Sequence, residues 1–69
     1  MSHYEFTPHQ GELVSRGGAI IHYCGEAVAM VPKRGGYAVI SLDEFDELVE
    51  TGSVSAVNYR TGRVNNLTW

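Results

Sequence analysis

The chain has few of the features that usually stabilise a small protein covalently or anchor it in a membrane. It holds one cysteine in 69 residues, so an internal disulfide cannot form. Its longest apolar run, residues 27–31, is far shorter than the roughly 20 residues that span a membrane. Residues 1–16 lack the apolar run of a secretory signal. These absences exclude a disulfide scaffold and favour a cytoplasmic protein that does not enter membranes.

Size is the second limit. A chain of 69 residues is expected to form one domain, close to the smallest that fold unaided. A core of this size supplies about 3–5 kcal/mol, so dimerisation or partner binding would add stability. We expect residues 1–69 to form a single domain. Residues 1–18 are expected to be a loosely ordered arm, because Pro8, Gly11 and a Gly17-Gly18 pair interrupt any pattern there.

Two apolar segments around a glycine predict a β-hairpin. Residues 19–24 and 27–31 are rich in β-forming side chains and flank Gly25-Glu26. Glycine at the first position of a two-residue loop suits a type II′ turn. That turn would pair His22 with Ala29.

A helix is the strongest local signal. The segment SLDEFDELVETG begins with Ser41 as a natural N-cap, and Glu44 three residues later completes a capping box. Gly52 suits the C-terminal cap. One apolar stripe recurs at helical spacing, formed by Leu42, Phe45, Leu48 and Val49. These signals predict a helix over residues 42–51.

Strands are predicted on both sides of this helix. Residues 37–40 precede it, and residues 54–59 and 63–69 follow it as a second hairpin. The first arm of that hairpin also suits a short helix, and this alternative stays open. As a strand, it would turn Val57 and Tyr59 to the core and expose the asparagines.

The expected fold is α+β, a small antiparallel sheet of four to five strands packed on a single α-helix in the order ββ(β)αββ. The N-terminal arm could add an edge strand. One helix covers one face of such a sheet and leaves the other face short of cover. The uncovered residues would be Ile21, Tyr23, Val28 and Met30. An exposed apolar face of this kind favours a homodimer or another partner.

His22 and Cys24 are the first residues to consider for catalysis or metal binding, because alternation places them on one face of a strand. Zinc requires three or four protein ligands, and the chain has no CxxC or HxxxH spacing. Parallel side chains on an apolar strand also do not form an activated nucleophile pair. We therefore expect a buried cysteine beside a half-buried histidine, with no catalytic residue, metal site or cofactor. The protein is not expected to be an enzyme.

Acidic charge is concentrated in one segment. Residues 41–50 hold five acids and no base, whereas the rest of the chain holds five bases and three acids. Acids are favoured at the start of a helix, but the helix dipole disfavours them near its end. Capping alone therefore does not explain the whole set. We interpret it as an acidic surface for a basic partner, formed by Asp43, Glu44, Asp46, Glu47 and Glu50.

Basic charge is concentrated in two predicted loops. Lys33 and Arg34 lie in the first, and Arg60 and Arg63 flank the second. Basic hairpin tips can contact the phosphate backbone of nucleic acids. The chain has neither GxxxxGK[ST] nor GxGxxG, so no nucleotide-binding loop is indicated.

The runs GEAVAMVP and AVISLDEFDEL resemble short motifs of the Phd/YefM antitoxin family, in which a hairpin leads into a strand and a helix start. The resemblance covers about a third of the chain. The strand KRGGYAVI intervenes here, and the N-terminal helical arm with which that family contacts DNA has no counterpart in the pattern. The resemblance therefore implies no DNA-binding residues in this chain.

Two functions follow from the charge pattern. The first is a small non-enzymatic protein-binding module, an inhibitor or adaptor that docks through its acidic helix on a larger partner with a basic surface. A nucleic-acid-processing enzyme blocked by a phage or mobile-element protein would be one such partner. The second is a nucleic-acid-binding regulatory module, antitoxin-like, that uses the basic hairpin tips.

Overall fold

The structure, a computed structural model, describes residues 6–69. Its elements are α1 (Pro8–Ser15), β1 (Ala19–Tyr23), β2 (Glu26–Lys33), β3 (Gly36–Ser41), α2 (Leu42–Thr51), β4 (Ser53–Asn58) and β5 (Arg63–Thr68). The strands form two antiparallel sheets, β1-β2-β3 and β4-β5. The fold is a small α+β arrangement with two helices, where the sequence predicted one. Across residues 6–69, no helix is long and apolar enough to cross a membrane.

The core lies between α2 and one face of the three-stranded sheet. Phe45 and Leu48 of α2 are fully buried against Ala29 and Ile40 of the sheet. Burying each large apolar side chain contributes about 1.5–3 kcal/mol. Ser41 caps this helix by accepting a hydrogen bond from the Glu44 backbone N–H at 3.2 Å. The predicted helix and its Ser41 cap are therefore confirmed, but the Glu44 carboxylate accepts from the Ser41 hydroxyl and not from its backbone N–H, so the capping box is only half formed. The other two stripe residues, Leu42 and Val49, are partly buried.

The helix α1 replaces the irregular arm that the sequence suggested. Thr7 caps it and forms a reciprocal capping box with Gln10, and Pro8 occupies the first turn. A proline there sacrifices no helical hydrogen bond, because the first N–H groups have no partner within the helix. Leu13 anchors α1 in the core with no exposed surface. The suggestion of an edge strand was wrong, and residues 1–5 of the predicted arm lie outside the described residues.

The first hairpin turns one residue earlier than predicted. Tyr23 pairs with Glu26, which leaves Cys24 and Gly25 as the turn, both with positive φ (53° and 84°). Two successive residues of positive φ define a type I′ turn, whose twist matches that of the strands. His22 therefore pairs with Ala27 instead of Ala29. The slip is two residues in register, so the predicted division of side chains between the two faces is preserved.

The second hairpin is a strand pair, which excludes the alternative helix over residues 54–59. The predicted division of its side chains between a core face and an exposed face was wrong. Val57 is 43% exposed, whereas Asn58 is buried at 3%. The side chain of Asn58 is turned inward because its amide oxygen accepts a hydrogen bond from the backbone N–H of Val39 in β3.

The second face of the three-stranded sheet is partly covered. Val28 and Val39 are buried there, although neither belongs to the core under α2. Tyr59 lies beside them, with its ring 6.1 Å from that of Tyr23, whose hydroxyl donates to the Tyr59 carbonyl at 3.3 Å. Tyr23 remains 36% exposed. The apolar area left for a partner is therefore smaller than the sequence suggested.

Candidate functional site

A short set of hydrogen bonds joins the two hairpins. The Val39 N–H of β3 donates to the amide oxygen of Asn58 at 3.1 Å, and the Val39 carbonyl accepts from the Tyr59 N–H at 2.7 Å. The Arg60 guanidinium extends this contact by donating to the Tyr37 carbonyl at 3.1 Å. These bonds attach the end of β4 to the outer edge of β3. The β2-β3 and β4-β5 hairpin tips consequently lie next to each other.

The same asparagine also shapes the β4-β5 tip. Its amide oxygen accepts a second bond, from the Arg60 N–H at 3.0 Å. Its backbone carbonyl accepts from the N–H groups of Thr61 and Gly62 at 3.1 and 2.7 Å. Gly62 has a φ of +74°, which glycine adopts without strain. Asn58 therefore fixes both the shape of the turn and its position against β3.

A groove lies between the two tips and consists of two adjacent depressions. The first, about 400 Å³, lies between the end of β2 and the outer part of β5. The second, about 460 Å³, lies between the two loops. They share Lys33, and their β5 walls meet at the consecutive residues Asn65 and Asn66. We refer to both depressions together as the tip groove.

All four basic residues predicted at the hairpin tips line the tip groove. Lys33 and Arg34 line the first depression, and Lys33, Arg60 and Arg63 line the second. Within residues 6–69, no aspartate or glutamate lines either one. Across residues 6–69 none of the four forms an ion pair. The groove therefore has an uncompensated positive potential, although the chain as a whole is acidic.

The fifth base, Arg16, has a structural role. It pairs with Glu12 at 3.1 Å and lies over the Trp69 ring at 4.1 Å from the ring centre. The Trp69 indole N–H donates to the same carboxylate at 3.2 Å, and its ring meets Phe45 edge-on at 5.5 Å. This arrangement attaches the C-terminal strand to α1 and removes Arg16 from the set of available cations.

One wall of the groove holds a polar atom without a partner. The amide oxygen of Asn65 is buried and accepts no hydrogen bond. Such an atom costs about 1–3 kcal/mol relative to a satisfied one. Tyr37 lines the same depression and is 41% exposed. The residues that line this depression thus include cations, an asparagine with an unsatisfied oxygen and an exposed tyrosine.

The predicted acidic surface is divided by the fold. Glu44 serves the cap of α2 and accepts from the Ser41 hydroxyl at 2.9 Å. Asp46 approaches the His9 ring nitrogen at 3.1 Å, which links α2 to α1. The other three acids, Asp43, Glu47 and Glu50, are exposed and form no ion pair within residues 6–69. We call these three the α2 acidic ridge.

His22 and Cys24 do not form a site. Both are exposed, and Cys24 lies in the turn instead of on the strand. The expected buried cysteine beside a half-buried histidine was therefore wrong, because the earlier turn carries Cys24 out of the sheet. Within the described part of the chain, no three His, Cys, Asp or Glu side chains come together in a way that could hold a metal ion.

One shifted titration is found outside the groove. The interaction of the Tyr59 hydroxyl with the Glu26 carboxylate raises the pKa of this tyrosine above its ordinary value. Burial and the nearby charge of Glu44 act in the same direction. The shift favours the neutral phenol, so it stabilises the cover over the second sheet face and creates no general base.

Compared with family models, curated proteins and solved structures, the chain matches none. The resemblance to Phd/YefM antitoxins therefore rests on two short runs of sequence alone.

Proposed function

We propose that this protein is a non-enzymatic nucleic-acid-binding module that holds a phosphate backbone in the tip groove. The observation that supports the proposal is the convergence of four cations from two separate loops on one concave surface, where residues 6–69 supply neither an ion-pair partner nor an acid. Backbone phosphates bind to such surfaces through charge and release counterions, with little need for a sequence motif. The α2 acidic ridge repels phosphates, so it limits contact with nucleic acid to the tip groove.

The expected binding is modest and strongly dependent on salt. Each phosphate contact contributes about 0.7–0.9 to the slope of log K against log salt. With three to four cations in the groove, we expect a slope of about −2 to −3.5. The net charge of −3 weakens long-range attraction, so affinity should fall steeply at physiological ionic strength.

The test compares variants of equal net charge. Lys33→Gln with Arg63→Gln removes two groove cations and leaves the Arg60 bond to Tyr37 intact. The control, Val14→Glu with Val57→Glu, changes net charge by the same amount at exposed positions outside the groove. Binding of labelled random-sequence DNA and RNA oligonucleotides is followed by fluorescence anisotropy over a salt series. We expect the first variant to lose about 1.4 or more of the slope and the control to keep it. Equal behaviour of the two variants would refute the proposal.

A second candidate function is docking of a larger protein through the α2 acidic ridge, as an inhibitor or adaptor. It is favoured by the exposure of Asp43, Glu47 and Glu50 without ion-pair partners in residues 6–69. A partner with a basic surface, such as a nucleic-acid-processing enzyme, would complement it. The ridge and the groove make opposite predictions for charge reversal. Replacing all three ridge acids by lysine should abolish docking on a basic protein and should leave or strengthen binding of oligonucleotides.

A homodimer and a cytoplasmic location stay predictions. The half-covered face around Tyr23, Ile21 and Met30 is the surface on which a second copy would pack. Sedimentation equilibrium of the wild type and of Tyr23→Glu tests this directly. A concentration-dependent mass that the substitution abolishes would support the dimer, and a monomer at all concentrations would exclude it.

A further inference from the structure

We infer that the tip groove holds an unpaired strand of nucleic acid, with one nucleotide in each depression, and that Asn65 contacts a base. This inference rests on the proposed function and makes it more specific. It concerns which form of nucleic acid fits, and which groove residue contacts something other than phosphate.

The shape of the groove favours a single strand. Its cations line two concave depressions of about 400 and 460 Å³, each in the size range of a small-ligand site. A duplex presents phosphates on a convex cylinder and would contact only the projecting loop residues. An unpaired strand can insert a nucleotide between the loops, where Lys33, Arg60 and Arg63 surround it.

The polar chemistry of the wall also favours exposed bases. The amide oxygen of Asn65 has no exposed surface and no partner within residues 6–69, and as an acceptor it is satisfied by an N–H donor and not by a phosphate oxygen. Amino groups on the base edges are such donors. In a duplex one N–H of each amino group is used in pairing and the other lies in a groove, whereas an unpaired strand presents the whole base edge. Rotation about the last torsion of asparagine is soft, which lets the amide turn towards a bound base. The turned oxygen would then accept from the base, while the amide NH2 group takes its place in the wall.

Tyr37 supplies the second contact that a single strand uses. Tyr37 lines the same depression and is 41% exposed, and its carbonyl accepts a hydrogen bond from the Arg60 guanidinium. Single-strand binders combine a basic groove with aromatic rings on which bases stack, at about 1–3 kcal/mol per base. A duplex, with its bases already stacked, gains nothing from this ring.

The groove is closed at one end by charge. A third depression adjoins the first one and shares three β5 residues with it, but Glu47 lines its wall. A phosphate placed there would be repelled. The strand is therefore limited to the two basic depressions, which corresponds to a footprint of about two nucleotides, short beside the ~4–16 of single-strand-binding OB folds.

The experiment measures anisotropy of one labelled twelve-nucleotide sequence, prepared as single-stranded DNA, as single-stranded RNA and as a DNA duplex. Asn65→Ala removes an unsatisfied polar atom and so should not destabilise the fold. Val57→Ala, on the exposed outer face of β4, is the matched control. We expect at least one single strand to bind about tenfold or more tighter than the duplex. We also expect Asn65→Ala to weaken that strand about 3–10-fold, the value of one neutral hydrogen bond, and Val57→Ala to change nothing.

The outcomes separate this inference from the proposed function. Duplex binding equal to or tighter than both single strands would overturn the inference, and so would an Asn65→Ala variant indistinguishable from the wild type. In either case loss of binding on removal of Lys33 and Arg63 would leave the proposed function standing. Absence of binding to all three probes at low salt would refute both.

Discussion

Asn58 is the residue on which the joint between the two hairpins depends, and its replacement by alanine should be among the most damaging in the chain. Its amide oxygen accepts from the N–H groups of Val39 and Arg60. Val39 is 2% exposed, so its N–H would lose this partner without access to water. That loss costs about 1–3 kcal/mol, and the more exposed bond to Arg60 adds about 0.5–1.5 kcal/mol.

The expected total, about 2–4 kcal/mol, is most of the 3–5 kcal/mol that a core of this size supplies. For a domain of this length it corresponds to a fall in Tm of about 8–30 °C. Urea unfolding can be followed by the fluorescence of Trp69, the single tryptophan, whose ring contacts Phe45 in the core. The urea midpoint should fall with little change in slope, since the exposed surface on unfolding is nearly unchanged.

Asn66→Ala is the matched control. It removes the same amide from an exposed position, where the only described partner is the Ser55 hydroxyl at 2.6 Å. Exposed bonds of this kind contribute at most about 1 kcal/mol. If Asn58→Ala destabilises the protein no more than Asn66→Ala does, the bonds of Asn58 do not hold the two hairpins together. The two tips would then not be fixed next to each other as the walls of a groove.

Further substitutions test other contacts. Gly18→Ala should destabilise the protein by about 1–3 kcal/mol, because the added methyl would overlap the Leu13 side chain. Thermal melts measure this loss, and a free energy of unfolding within about 0.5 kcal/mol of the wild-type value would contradict the prediction. Glu47→Gln should tighten single-strand binding measured by anisotropy, because Glu47 closes one end of the groove by charge. Asp43→Asn on the same ridge should not change this binding. Equal effects of the two substitutions would show that Glu47 does not limit the groove. Tyr59 has a raised pKa in the fold. The stabilising contribution of the Tyr59 hydroxyl should therefore be present below about pH 10 and lost at higher pH. The Tm of wild type should exceed that of Tyr59→Phe below this pH, and the difference should vanish above it. A difference in Tm that stays constant with pH would refute this prediction.

The helix α2 could be predicted from sequence because all its signals are local. The cap at Ser41, the stripe through Phe45 and Leu48, and the terminal Gly52 lie within twelve residues of one another. The helix α1 has an equally local cap at Thr7, but only one of its residues is fully buried. A single buried leucine gives no periodic stripe, and a proline is as typical of an interruption of structure as it is of a helix start.

The errors in the two hairpins have a common physical cause. Register depends on which residues accept positive φ, and a cysteine in that conformation is not expected from composition. Cys24 adopts it because Gly25 follows with positive φ, as a type I′ turn requires. In the second hairpin, Asn58 is buried to satisfy Val39, a residue nineteen positions earlier. No local pattern records a partner at that distance.

The sequence predicts the four bases of the tip groove as loop residues, in the alternative to the acidic helix, but does not predict that they converge. The sequence identified Lys33, Arg34, Arg60 and Arg63 as two separate basic tips. Their convergence follows from the bonds between β3 and the end of β4, which are tertiary contacts. The contribution of Asn65 was missed, since an unsatisfied amide has no sequence signature. The only available signal was the unusual density of asparagine in the last strand.

The most direct test of the groove is a backbone amide NMR titration of the labelled protein with the single-stranded twelve-nucleotide probe at low salt. We expect the shifts to be concentrated in residues 33–37 and 60–66, the two loops and the adjoining part of β5, with the α2 residues 43–50 unchanged. Shifts confined to α2, or spread evenly over the surface, would contradict the assignment of the tip groove as the binding site.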